Sequence, residues 1–302
     1  MSAQGRPDPS PEPDWSSEAA MLEPTVLDLR TRRRRSFILV AGLALVGIIV
    51  LVALVSMIWL PYDPSDTSGS RLESPGLSHW LGTDRLGRDL FTQVMVGARI
   101  ALIVGIGAVA VGAAIGVPLG LAAAFAGGWL DDALSAAMDI LIAFPLLLLA
   151  MLIVAVTGAS LLTVTVAIGV SVSAIVARLT RVVSRRVLAQ QYITAARTSG
   201  TGSLGIVWQH VLPNIWPTIS VNLGMLFGVA VLAEASLSYL GLGAPPPNSS
   251  WGRLLQEAQS TVMTAPLGAI APGIALVILV IGVNLLVDGL RDVSDPTLVR
   301  AR

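Results

Sequence analysis

Tyr192-Ile-Thr-Ala-Ala-Arg-Thr-Ser-Gly-Thr-Gly-Ser-Leu-Gly-Ile-Val-Trp-Gln-His-Val-Leu-Pro-Asn214 is the long polar-to-mixed interruption between two strongly apolar blocks of the chain. Tyr192 to Gly200 reads as a helix with Ala195, Ala196 and Ser199 on one small-residue face and Arg197 elsewhere. Gly200 and Gly202 supply a helix stop and a sharp turn. Leu204, Ile206, Val207, Val211 and Leu212 form the apolar face of a second short helix, which Pro213 is expected to end. Such a segment inside a hydrophobic protein belongs at an aqueous face. On these residues alone it is either an ordinary amphipathic surface helix between two spans or a docking element for a partner.

The surrounding composition decides the class. Of 302 residues 54% are hydrophobic and 13% charged, and the mean hydropathy is +0.77. Soluble domains are about a quarter charged, so this is the composition of a membrane protein. The absence of Cys removes disulfides and Cys-based metal or redox sites. A net charge of zero offers no basic groove for nucleic acid. All 19 basic residues are Arg. The phosphate-binding loop G-x-x-x-x-G-K-[ST], which needs a Lys to reach the phosphates, therefore cannot be built, and any nucleotide-driven work must come from a partner.

Outward from the opening stretch, six spans are expected. Residues 1–35, rich in Pro, Ser, Glu and Asp at their start, read as a disordered tail. Arg32 to Arg35 abut an apolar run, Phe37 to Leu60, long enough to cross a hydrocarbon core of about 30 Å. A signal peptide has a shorter apolar core and a small-residue cleavage site, which Trp59-Leu60-Pro61-Tyr62 is not, so residues 36–60 are a membrane anchor. A polar, turn-rich loop covers 61–94. The second span, about Ala98 to Phe125, carries Gly105, Gly107, Gly112, Gly116 and Gly120, which would let a neighbouring backbone approach closely. The third is Ala133 to Thr157 with a kink at Pro145, the fourth Leu161 to about Val183, the fifth Ile215 to Leu240 and the sixth Leu267 to Leu286. A loop, Gly241 to Pro266, separates the last two, and 291–302 form a tail.

Arginine sets the orientation. With the N-terminus inside, fourteen Arg fall in inside segments and five (71, 85, 88, 99, 253) in outside segments or their edges. The positive-inside rule then puts both termini and Tyr192 to Asn214 in the cytoplasm.

Several ionisable residues are candidates for function. Glu234 lies in the outer half of the fifth span, where a charge is costly; it either serves an ion pathway or ties a loop at the outer interface. Asp139 with Phe144 and Pro145 lines a pathway or only anchors the third span. Asp84, Arg85, Arg88 and Asp89 form a solvated ion-pair loop suited to face an external binding protein. His79 and His210 fall on opposite sides and cannot share a metal.

Ala195-Ala196-x3-Gly200, nine residues, then His210-x-Leu212-Pro213-Asn214 resembles the cytoplasmic EAA loop of permease subunits in ABC importers; Thr194 stands where that family usually has Glu. The resemblance extends through His79 to Asp89, Gly97-Ala98-Arg99, Gly127-Gly128-Trp129-x-Asp131, Asp139-Ile140-x-x-Ala143-Phe144-Pro145, Leu232 to Gly243, Trp251-Gly252 and Asn284 to Asp292, all similar to the dipeptide, oligopeptide and nickel branch. It implies an all-α membrane protein of type I importer architecture: five core helices over 95–290, one extra N-terminal span, and a coupling loop over 185–214. It also implies a bacterial cell membrane and a second homologous permease subunit. Two ATP-binding cassette subunits, or one fused pair, would bind ATP and Mg, and an external binding protein would deliver short peptides, nickel complexes or glutathione. Ala195, Ala196, Arg197, Gly200, His210, Leu212, Pro213 and Asn214 would meet the ATPase, and this chain would hold no cofactor and do no covalent chemistry. Two other classes stay open: an ion-coupled secondary transporter using Glu234, Asp139 and Asn284, and a channel or structural membrane subunit.

Overall fold

Backbone amides find no water in a bilayer, so a chain this apolar must satisfy them within helices. The structure, a computed structural model, describes residues 15–245 and 249–294. Its helices are α1 Trp15–Ile58, α2 Leu90–Ala126, α3 Gly128–Ala143, α4 Leu146–Thr157, α5 Leu161–Leu188, α6 Gln191–Thr198, α7 Ser203–Ile206, α8 Leu212–Tyr239, α9 Trp251–Ala258 and α10 Leu267–Ser294; a π turn, Val207–Val211, joins α7 to α8. Among the described residues extended pairing is confined to a single bridge, Thr83 to Asp89.

Five stretches are long and apolar enough to cross a membrane unaided: Phe37–Ile58, Leu90–Ala126, Leu161–Leu188, Ser203–Tyr239 and Leu267–Arg291. The expected third span differs. Pro145 breaks it into α3 and α4, which meet at 90°. Proline lacks an amide hydrogen and disfavours helical geometry at the preceding residue, and here Phe144 is extended at φ −73°, ψ 131°. Together the two halves reach from one end of the bundle to the other. Asp131 of α3 meets Arg181 near the end of α5, whereas Ala150 and Val154 of α4 pack with Val104 and Val164 at the opposite ends of the spans.

The spans are arranged by small residues. α2 and α5 run parallel, with Gly112 against Val172, Gly116 against Val176 and Gly120 against Thr180. A Cβ at 116 would lie 2.5 Å from the Ser173 carbonyl oxygen, and one at 120 would lie 2.3 Å from that of Ala177. The glycine spacing of four thus forms the close-packed seam that the sequence suggested. α1 and α10 use the same device in antiparallel: Gly42 faces Leu286, and Gly282 and Gly289 face Leu45 and Leu39. α8 lies against both pairs, through Phe227 on Gly105 and Gly224 on Val287.

Other boundaries move for local reasons. The expected disordered tail is helical from Trp15, because extending a helix already nucleated by an apolar span costs far less than starting one; residues 1–14 lie outside the described residues. α2 begins at Leu90, inside the expected 61–94 loop, because Asp89 caps it by accepting from the Thr92 amide at 2.8 Å. The 241–266 loop contains α9, capped by Ser250, with Trp251 buried over Gly97 and donating from Nε1 to the Val94 carbonyl at 3.0 Å. α10 runs to Ser294, beyond the expected end of the sixth span, and 295–302 lie outside the described residues.

The α2–α5 seam makes a direct prediction. Gly120→Leu forces the two backbones apart, whereas a Cβ at Gly47 meets nothing within 4 Å. Gly120→Leu should lower stability by about 1–3 kcal/mol, read as a lower melting temperature in detergent, with Gly47→Leu close to wild type.

Candidate coupling site

α6 is eight residues long and cannot hold itself in water. Ile193 anchors it: this side chain is 1% exposed and packs with Ile206, Val211, Ile215 and Ile219, with Val183, Val187 and Leu188 of α5 and Leu121 and Phe125 of α2 alongside. The short helix is thereby fastened to the ends of three spans at once.

The turn after α6 is a Schellman motif. The Thr201 amide donates to the Ala196 carbonyl and the Gly200 amide to that of Arg197, both at 3.0 Å, with Gly200 at φ +89°. α7 follows, but the second helix does not stop at Pro213 as the sequence suggested. It passes through the π turn, where the Leu212 amide reaches back five residues to the Val207 carbonyl, and Pro213 occupies the first turn of α8. A wider turn gives the proline ring room and loses no amide that the ring lacks. Asn214 donates from Nδ2 to the His210 carbonyl at 2.6 Å. His210 and Tyr192 place their rings 6.0 Å apart and so link the two arms of the loop.

Of the residues expected in the coupling face, Ala195, Arg197, Gly200, Pro213 and Asn214 are exposed, and Ala196, His210 and Leu212 are half-buried. Leu204 departs from the expected apolar inner face: it is 76% exposed, and Trp208, four residues on, is 70% exposed. These two large side chains project outward, and sequence reasoning overlooked Trp208. Its signal was the i, i+4 spacing from Leu204, which puts both on one helical face.

The profile described as "Binding-protein-dependent transport system inner membrane component" matches residues 116–300, more than half of the chain. The chain belongs to this family. It is the permease subunit of an ABC importer, a multi-pass membrane protein whose class works with ATPase and binding-protein partners. Similar curated proteins include a glutathione transport system permease of Pectobacterium atrosepticum, 40% identical over 87% of this chain and 88% of that protein. A dipeptide transport system permease of Alkalihalophilus pseudofirmus is 37% identical over 87% of each. A putative peptide transport system permease of Brucella suis is 40% identical over 91% and 93%.

The permease's other candidate residues are not gathered at this loop. Asp139 is exposed on α3 and pairs with Arg178 at 3.4 Å, and Phe144 and Pro145 are exposed at the α3–α4 break. Glu234 is 3% exposed near the far end of α8. It accepts from Ser238 Oγ at 2.6 Å and is hydrogen-bonded by Ser250, so it ties the start of α9 to α8, where Gly252 abuts the Ala235 backbone.

The loop of Asp84, Arg85, Arg88 and Asp89 corrects an expectation, because it is not a solvated ion-pair surface. Arg88 forks between Asp84 and Glu257 of α9, with side chains about a tenth exposed. Asp89 is 4% exposed and also holds His79 Nδ1 at 2.9 Å. Only Arg85 of the four is exposed. The pattern of alternating charge was legible, but the partner Glu257 lies 169 residues away.

Positive φ at residue 200 carries a further prediction. Val is strained there, whereas Asn visits that region. Gly200→Val should speed limited proteolysis between 198 and 203 several-fold, with Gly200→Asn close to wild type.

Proposed function

We propose that this permease imports short peptides in the bacterial cell membrane, with both termini cytoplasmic, and that the Ala195–Asn214 segment receives force from ATPase subunits. The observation that carries this reading is an exposed loop rigidly seated on the ends of α2, α5 and α8 through Ile193. A docked partner that moves this loop moves the spans as bodies. Ala195, Ala196, Arg197 and Gly200 form the small, cationic part of the contact, and Leu204 and Trp208 are its apolar anchors, of the kind that dominate interface energetics.

In this reading a second homologous permease completes the path, and two cassette subunits or one fused pair bind ATP and Mg. A binding protein approaches at the opposite end, where Arg85 is free to meet it. Arginine asymmetry supports the orientation. The relatives' dipeptide and glutathione cargo supports a short peptide, since glutathione is itself a tripeptide. A glutathione importer is the second reading that those names favour.

The test is to purify the chain with the products of its neighbouring genes and reconstitute peptide uptake. An ATPase should co-purify, and Ala196→Asp or Trp208→Ala should lower ATP-dependent uptake at least ten-fold in membrane-inserted protein. Uptake that needs no ATPase and follows a proton gradient would overturn the reading. Glu234→Gln separates the ion-coupled alternative: it keeps the acceptor for Ser238, so ATP-dependent uptake should stay within about two-fold of wild type, whereas a proton-coupled carrier would lose transport.

A further inference from the structure

Arginines 178, 181 and 185 of α5 recur at i, i+3 and i+7, which puts them on one helical face. α3 lies against that face. Arg181 grips Asp131 with both arms, Nε to Oδ1 at 2.6 Å and Nη2 to Oδ2 at 2.8 Å, and Arg185 donates to the same Oδ2. The Asp131 side chain is 5% exposed, whereas Asp139 and Arg178, the second pair between these helices, are each 59% exposed. Between the two pairs, Leu134 and Met138 of α3 pack on Ala123 of α2 and Ala177 of α5.

The two ion contacts differ in kind. A solvated pair such as Arg178 with Asp139 contributes little and opens freely. The Asp131 carboxylate is covered by its two guanidiniums, although Arg185 itself is 45% exposed and Arg181 21%, and parting from both would leave the covered carboxylate without a partner. The doubly held contact sits at the end of α3 nearest the coupling loop. From there α5 leads through only Ala189 and Gln190 into α6, so the path from α6 through α5 to α3 has no slack segment. The far end of α3 is the exposed Phe144–Pro145 break.

We propose that Asp131, held by Arg181 and Arg185, is a mechanical joint that makes α3 travel with α5 when the coupling loop is displaced, delivering the displacement to the Phe144–Pro145 elbow. It deepens the coupling reading above and rests on it. Asp131 is a positioning residue in this scheme: it holds two helices in register and touches no cargo.

The chain has no native Cys, so spin labels can be placed at will. Labels at Ala143→Cys and Val182→Cys, both exposed, report the separation of α3 and α5 in the full complex in lipid nanodiscs, with and without trapped ATP. The joint predicts one narrow distance that is the same in both states. Asp131→Asn should broaden it and lower peptide taken up per ATP hydrolysed at least ten-fold, while the complex still assembles. Asp131→Glu, which keeps a carboxylate for both guanidiniums, should retain most of both. If Asp131→Asn protein is not recovered, Arg185→Gln removes one of the two contacts and should give an intermediate broadening. A wild-type distance that shifts on ATP trapping, or Asp131→Asn and Arg185→Gln proteins that keep the narrow distance and normal coupling, would overturn the joint. Failure of the wild-type complex to take up peptide would instead count against the coupling reading, since the nucleotide-free distances still judge the joint.

Discussion

Where α2 and α5 meet, the two backbones come into contact because glycine recurs every fourth residue on α2. In a bilayer the hydrophobic effect gives helices no reason to associate, so close van der Waals approach has to do that work. The rest of the bundle is placed by this seam. α4 lies on the first half of α5, α3 lies across its arginine-bearing end, and α8 covers the remaining side. The 191–214 loop is seated by the same pair of helices, since Ile193 is buried among residues that both contribute.

Charge is used sparingly and in two ways. At the end bearing the 59–89 segment, Asp84, Arg88, Asp89 and Glu257 bind the loop to α2 and α9. At the opposite end, Asp131 gathers two arginines into the angle between α3 and α5. Each cluster lies where a helix starts or changes direction, so charged contacts hold the corners while small apolar residues hold the lengths. Glu234 follows the same logic, as the buried acid that fixes the approach of α9.

Much of this was legible in the residues. Long apolar runs marked the spans, glycine density marked the second span for close approach by an unnamed neighbour, and the composition of Tyr192 to Asn214 marked a segment that would be exposed. What was hidden depended on partners distant in sequence. Nothing near Asp131 announces that Arg181 and Arg185 will share it, and nothing near Arg88 points to Glu257. Pro213 misled for a different reason: a proline stops an ordinary helix, but the π turn before it supplies the extra room, and that turn has no simple compositional sign. Pro145 breaks its span, with Phe144 extended before it, whereas Pro118, Pro217 and Pro272 sit inside unbroken helices, so a proline in an apolar run does not by itself tell a break from a continuous span.

The π turn has a consequence for how the loop is phased against the membrane. An inserted residue in a helix changes the angular position of everything before it by about 100°, since an α-helix has 3.6 residues per turn. Val207–Val211 therefore sets the compass bearing of α7, and with it Leu204, relative to α8, independently of the side chains themselves. Two permeases with identical surface residues but one residue more or less in this turn would present them to different neighbours.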